Sequence, residues 1–172
     1  LTALNINDGS LVWQTPTQSN EILLNAFSLQ NSEMIINNEN IYFSNNKNEL
    51  FSIDARSGTV NWKQTVNSSL TPIIVENLII TVSNNGYLFV IDEKKGNIIR
   101  ITNILKNIKN KKNKINPVGF IIARNKIYLS LSNGKLIKAD LTTGIEESIY
   151  KISNSKILRP NVFYDKMYIL KH

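Results

Sequence analysis

A nine-residue unit recurs four times along this chain and constrains its fold more than any other feature. The copies read Asn5-Ile6-Asn7-Asp8-Gly9-Ser10-Leu11-Val12-Trp13, Asp54-Ala55-Arg56-Ser57-Gly58-Thr59-Val60-Asn61-Trp62, Asp92-Glu93-Lys94-Lys95-Gly96-Asn97-Ile98-Ile99-Arg100 and Asp140-Leu141-Thr142-Thr143-Gly144-Ile145-Glu146-Glu147-Ser148. Each has Gly at the fifth position and Asp, once Asn, four residues before it, and two copies carry Trp four residues after it. Successive glycines are 49, 38 and 48 residues apart. A period of roughly 40–50 residues in a chain of strand-like segments is the signature of propeller blades.

The stretches between the glycines read as strands. Residues 41–43, 78–82 and 126–131 are rich in β-branched and aromatic residues, and a turn follows each: Asn45-Asn46-Lys47-Asn48, Asn85-Gly86 and Asn133-Gly134. Asn-Gly predicts a tight hairpin with both central residues at positive φ. A third strand follows at 50–53, 87–91 and 135–139, then the Asp-x-x-x-Gly turn and an outer strand such as 59–64. A first strand precedes each set, at 32–37, 72–75 and 117–123. The expected fold is all-β: a β-propeller of four-stranded antiparallel blades occupying residues 1–172 as one repeat domain. Residues 1–14 supply the last two strands of one blade and 160–171 the first two of another, so about four blades are expected, cut mid-blade at both ends. An arc of a larger ring is preferred over a closed four-bladed one.

Composition removes most kinds of chemistry. The chain has no cysteine, so disulfides, thiolate catalysis and cysteine-ligated zinc are excluded. Its single histidine is the last residue, His172, which argues against histidine triads and histidine metal sites. Asn and Ile each occur 26 times and Lys 16 times, a bias of the kind an AT-rich genome imposes, so Asn and Lys count as signals only where their positions recur. The net charge of +7 invites a nucleic-acid or anionic-lipid reading. Five of those charges, Lys106, Lys109, Lys111, Lys112 and Lys114, lie in one stretch, leaving +2 elsewhere. That run has no interleaved aromatics of the kind single-strand binding needs, and it reads as a solvated loop between blades.

The recurring positions are read structurally. Trp13 and Trp62 are blade-docking aromatics, and Arg100 and Ser148 stand in their place in the other copies, where weaker interfaces are expected. Asp54, Asp92 and Asp140 are turn residues accepting backbone N–H bonds ahead of Gly58, Gly96 and Gly144. Equivalent carboxylates in successive blades sit a blade apart and cannot gather into one catalytic or metal cluster. Tyr42, Tyr87, Tyr128 and Tyr168 are strand filling.

Laid out this way, the chain resembles the repeat of pyrroloquinoline-quinone-type propellers, and more specifically the C-terminal half of the BamB family of outer-membrane barrel-assembly lipoproteins. The run 54–62, Asn67-Ser68-Ser69, Val75-Glu76-Asn77-Leu78-Ile79-Ile80, Asn116-Pro117-Val118, and Arg159-Pro160 before Met167-Tyr168-Ile169-Leu170 carry the resemblance. It implies an eight-bladed ring. It also implies a non-catalytic scaffold of the outer-membrane β-barrel assembly machinery, at the periplasmic face of the bacterial outer membrane. The implied partners are the barrel-assembly subunit and unfolded outer-membrane protein clients, with no nucleic acid and no cofactor. Membrane association would come only through an upstream lipid anchor or a partner. The loop matching the family's partner-contacting loop is about 15–31, which makes Glu21, Phe27 and Leu29 the candidate partner-binding residues. Leu29, Gln30 and Asn31 stand where the family would place acidic residues. The alternative is a fragment of a quinone-dependent dehydrogenase; against it stand the absent cysteines and the lack of an acidic cluster suited to Ca²⁺.

Overall fold

The computed structural model describes residues 1–17, 30–108 and 115–172. These residues form strands and turns, with no helix among them. A two-stranded sheet of β1 (Thr2–Leu4) and β2 (Leu11–Gln14) comes first. Three four-stranded antiparallel sheets follow in simple up-and-down order. The first holds β3 (Ile35–Asn37), β4 (Asn40–Asn45), β5 (Glu49–Asp54) and β6 (Val60–Gln64). The second holds β7 (Ile73–Val75), β8 (Leu78–Val82), β9 (Tyr87–Asp92) and β10 (Ile98–Asn103). The third holds β11 (Pro117–Ala123), β12 (Lys126–Leu131), β13 (Lys135–Asp140) and β14 (Glu146–Lys151). A last pair, β15 (Asn161–Phe163) and β16 (Lys166–Tyr168), closes the order. The first strands of two blades are shorter than the sequence suggests: β3 covers only the end of 32–37, with Asn31 joined to Asn45 by an isolated bridge.

The apolar core lies between sheets, as blade packing requires. One cluster joins Phe43, Phe51 and Ile53 of the first full blade to Leu1 and Trp13 before it. A second joins Tyr42, Leu50 and Val66 to Ile79 and Ile91 of the next blade. The largest joins Ile80, Val82, Leu88 and Val90 to Phe120, Ile127, Leu129 and Ile137. The two middle strands of each blade are buried and the outermost strand is exposed. That gradient is the one radially stacked sheets produce.

The hairpin turns correct one expectation. Asn85-Gly86 and Asn133-Gly134 do not place both residues at positive φ; only Gly86 (+80°) and Gly134 (+75°) are there. Gly86 N–H donates to the Ser83 carbonyl at 2.9 Å and Ser83 N–H to the Tyr87 carbonyl at 2.8 Å. This is a longer loop, a turn closed by one left-handed residue. Asn48, at φ +67°, takes the glycine's place in the first full blade. The two-residue turns with both φ positive lie earlier in the blade, at Asn38-Glu39 and Arg124-Asn125, where no glycine signals them.

Candidate functional site

The recurring unit builds the joint between blades, and three of its four copies tie to the next blade in the same way. In the turn, Asp54 Oδ1 accepts from the N–H of Arg56 (3.0 Å) and Ser57 (2.7 Å), Asp92 Oδ1 from Lys95 N–H (2.6 Å), and Asp140 Oδ1 from Thr143 N–H (2.9 Å). Those N–H donors, with the Ser57 hydroxyl, hold the Asp54 carboxyl below the usual carboxylate range. Asp140 drops to about 2, first because Lys126 Nζ donates to it and then because of Thr143. The N–H of Gly58, Gly96 and Gly144 closes each turn onto the aspartate's own carbonyl at 2.8–2.9 Å. These glycines sit at φ +71° to +73°.

The side chain four residues after the glycine then reaches into the next blade. Trp13 Nε1 donates to the Ala55 carbonyl and Trp62 Nε1 to the Glu93 carbonyl, both at 3.0 Å. Arg100 Nη2 donates to the equivalent carbonyl of Leu141 at 2.8 Å. Arginine thus reproduces the donor though it lacks the indole, and its Nε is buried without a partner among the described residues. Ser148 makes no such bond among the described residues. Each accepting residue is anchored in turn: the N–H of Ala55, Glu93 and Leu141 donates to Glu39, Asn77 and Asn125 in the first turn of its own blade.

Each indole also lies against the next blade's glycine. A Cβ on Gly58 would come within 2.6 Å of Trp13 Cδ2, and one on Gly96 within 2.5 Å of Trp62 Cδ2. Glycine is required there twice over, by its φ and by the ring above it. Two residues further on, Thr15 Oγ1 donates to the Gly58 carbonyl and Gln64 Nε2 to that of Gly96. Buried serines add further bonds, Ser44 Oγ to the Leu70 carbonyl (3.4 Å) and Ser130 Oγ to that of Leu158 (2.8 Å).

One interface carries a polar cluster that no sequence pattern announces. Glu93, 8% exposed, accepts from Asn37 Nδ2 at 2.6 Å and from the Tyr42 hydroxyl at 3.2 Å. Burial first, and the nearby Glu93 charge second, push the Tyr42 phenol up to about 12. The partners are 56 and 51 residues apart in the chain and meet only because blades stack.

The other candidates are dispersed. Tyr42 is buried, Tyr128 is half-buried, and Tyr87 and Tyr168 are exposed, so the four tyrosines form no common surface. The first strands line an open cavity of about 580 Å³ containing Glu33, Glu76, Thr71 and Arg159. Thr71 Oγ1 donates to Glu33 Oε2 there at 3.2 Å. Among the described residues no three His, Cys, Asp or Glu side chains gather to hold a metal, and no helix is long and apolar enough to cross a membrane. Glu21, Phe27 and Leu29 lie outside the described residues, as do Lys109, Lys111, Lys112 and Lys114; Lys106 is exposed.

One curated relative and two solved structures are similar to this chain. The chain is 24% identical over 100 residues to the outer membrane protein assembly factor BamB of Legionella pneumophila (strain Paris), an alignment covering 56% of this chain and 23% of that protein. It therefore spans about a quarter of that curated relative's length. The structure is similar to the crystal structure of BamB from Moraxella catarrhalis, with a TM-score of 0.63 at 14% identity, covering 81% of this chain and 40% of that one. It is also similar to the quinohemoprotein alcohol dehydrogenase of Comamonas testosteroni, with a TM-score of 0.56 at 14% identity, covering 69% and 20%. Both structural likenesses are likenesses of fold. Residues 1–102, more than half of the chain, match the sequence profile of the family described as outer membrane protein assembly factor BamB. With that match spanning three of the four recurring units, the chain belongs to the BamB family.

Proposed function

We propose that the chain is a non-catalytic scaffold of the outer-membrane β-barrel assembly machinery, working at the periplasmic face of the outer membrane and holding partner and client chains on its propeller surface. Residues 1–172 act as one repeat domain in this reading, and the whole is held at the membrane by an upstream lipid anchor or by a partner. Family membership supports the setting. The observation that carries the scaffold role is the use made of the recurring residues. The aspartates are tied into turns, and Trp13, Trp62 and Arg100 are tied to the next blade's backbone. The motif makes a stiff platform and leaves exposed strands and loops for contact.

The test is recovery of complexes from cells producing the tagged full-length protein. Co-purification of the barrel-assembly subunit, kept after crosslinking in intact cells, is the expected result. A preparation that never brings that subunit down would overturn the reading. Quinone- and Ca²⁺-dependent alcohol oxidation by the same preparation would replace it with the dehydrogenase alternative.

A further inference from the structure

The outermost strands differ in how they meet solvent, and β10 stands apart. It is the terminal strand of its sheet, with β9 on one side and, among the described residues, no strand on the other. Asp92 N–H donates to the Asn97 carbonyl and Ile104 N–H to that of Gly86. With Arg100 opposite Val90 and Thr102 opposite Leu88, the antiparallel alternation turns the backbone groups of Arg100 and Thr102 toward β9. The N–H and C=O of Ile101 and the N–H of Asn103 therefore point off the sheet.

The side chains leave this edge open. Ile99 and Ile101 are 58% and 51% exposed, beside exposed Tyr87 on β9. The only charge on the strand, Arg100, is turned inward onto Leu141. Natural sheets discourage pairing at an edge with outward charges, and two of the other outer strands carry them. On β6, Lys63 pairs with Glu49; on β14, Glu147 bridges Lys126 and Lys138. β2 is uncharged but has four residues to the six of β10, and Asp8 precedes it.

The two ends of β10 are basic. Lys94 and Lys95 stand in the turn before it and Lys106 just after it, all exposed and without an ion pair among the described residues. Of the two carboxylates there, Asp92 accepts the Lys95 backbone N–H and Glu93 is buried. A six-residue strand is about 20 Å long, so positive charge brackets a span of that length.

We propose that the free edge of β10 takes an added fifth strand from an extended polypeptide segment with alternating apolar side chains and carboxylates at both ends. The segment's backbone pairs with Ile101 and Asn103, its apolar face covers Ile99, Ile101 and Tyr87, and its ends meet Lys94, Lys95 and Lys106. This names one client chemistry for the scaffold reading and rests on it.

The probe is an N-acetylated, C-amidated, fluorescently labelled peptide, Asp-Asp-Val-Thr-Val-Thr-Val-Thr-Asp-Asp, titrated into the full chain. Binding should protect the Ile101 and Asn103 amides from hydrogen exchange and leave the amides of β6 and β14 unchanged. Ile101→Pro removes an outward N–H without breaking a bond to β9, and edge strands accept proline there. It should weaken binding at least about tenfold while the thermal melt stays cooperative. Replacing Lys94, Lys95 and Lys106 together by Ala should weaken binding and flatten its salt dependence. Unchanged affinity in a folded Ile101→Pro variant, or protection at another strand, overturns the proposal. If the proline variant does not fold, the exchange pattern of the unmodified chain decides alone, and no protection at Ile101 and Asn103 overturns it equally. Co-purification of the barrel-assembly subunit with Ile101→Pro is expected to persist, so failure at this edge is distinguishable from failure of the scaffold role.

Discussion

Replacing Trp62 by Ala should loosen one blade joint, and the structure sets the size of the effect. The half-buried indole lies on Gly96, sits 6.0 Å from the Tyr42 ring and donates to the Glu93 carbonyl at 3.0 Å. Losing about 100 Å² of buried apolar surface costs about 2.5 kcal/mol. Leaving the Glu93 carbonyl without its donor adds about 1 kcal/mol. A loss of about 3.5 kcal/mol should lower Tm by roughly 10 °C in a chain of this size. The sharper measurement is a cycle with Gly96→Ala. In the native background that alanine meets two obstacles. A φ of +72° costs about 1 kcal/mol. The contact of its Cβ with Trp62 at 2.5 Å costs about 1–3 kcal/mol more. Once Trp62 is gone only the first remains, so the double variant should be more stable than the sum of the singles by about 1–3 kcal/mol. Urea unfolding followed by far-ultraviolet circular dichroism reads all four proteins. Additivity within about 0.5 kcal/mol would refute the claim that glycine is there to receive the indole.

Other expectations follow from the same joints. Gly9→Ala meets no atom within 4 Å at φ +72°, whereas Gly58→Ala at φ +73° strikes Trp13. The first should cost about 1 kcal/mol and the second about 1–3 kcal/mol more by urea denaturation, and equal losses would contradict the docking role. Arg100→Trp restores the indole and removes the buried Nε that has no partner among the described residues, so it should raise stability by about 1 kcal/mol; a loss of that size would show that the cleft at Gly144 does not fit an indole. Tyr42, raised to about 12 in the folded protein, ionises near 10 when unfolded. Its contribution is thus present below pH about 10 and lost as pH climbs toward about 12. Absorbance titration should show a late phenol component that is absent in Tyr42→Phe; a Phe variant with the same late component would rule out the assignment.

The blade pattern was readable because its signals are local. Asp54 and Gly58 are four residues apart and serve the same turn, so their spacing survives in the sequence. Trp62 is visible for the same reason, although its acceptor lies 31 residues on. Arg100 was read by the ring it lacks, when what the joint retains is a donor long enough to reach Leu141. The Asn-Gly pairs misled because turn type follows strand register as well as residue preference. With Val82 paired to Leu88, the loop needs one left-handed residue, and Gly86 alone supplies it. Asn38-Glu39 and Arg124-Asn125 adopt the tighter turn without glycine, held by the pairing of Asn37 with Asn40 and of Ala123 with Lys126. The cluster of Asn37, Tyr42 and Glu93 had no local trace, since Glu93 belongs to the blade after the one that holds Asn37 and Tyr42.

The receiving side of the three joints tied by Trp13, Trp62 and Arg100 is a main-chain oxygen, borne by alanine at 55, glutamate at 93 and leucine at 141. A socket of that kind is indifferent to the side chain that carries it, so half of each connection can drift in sequence without coming undone. Gene duplication could then add or exchange modules while only the plug and its glycine seat are kept, and the architecture would outlast nearly all recognisable likeness between its copies.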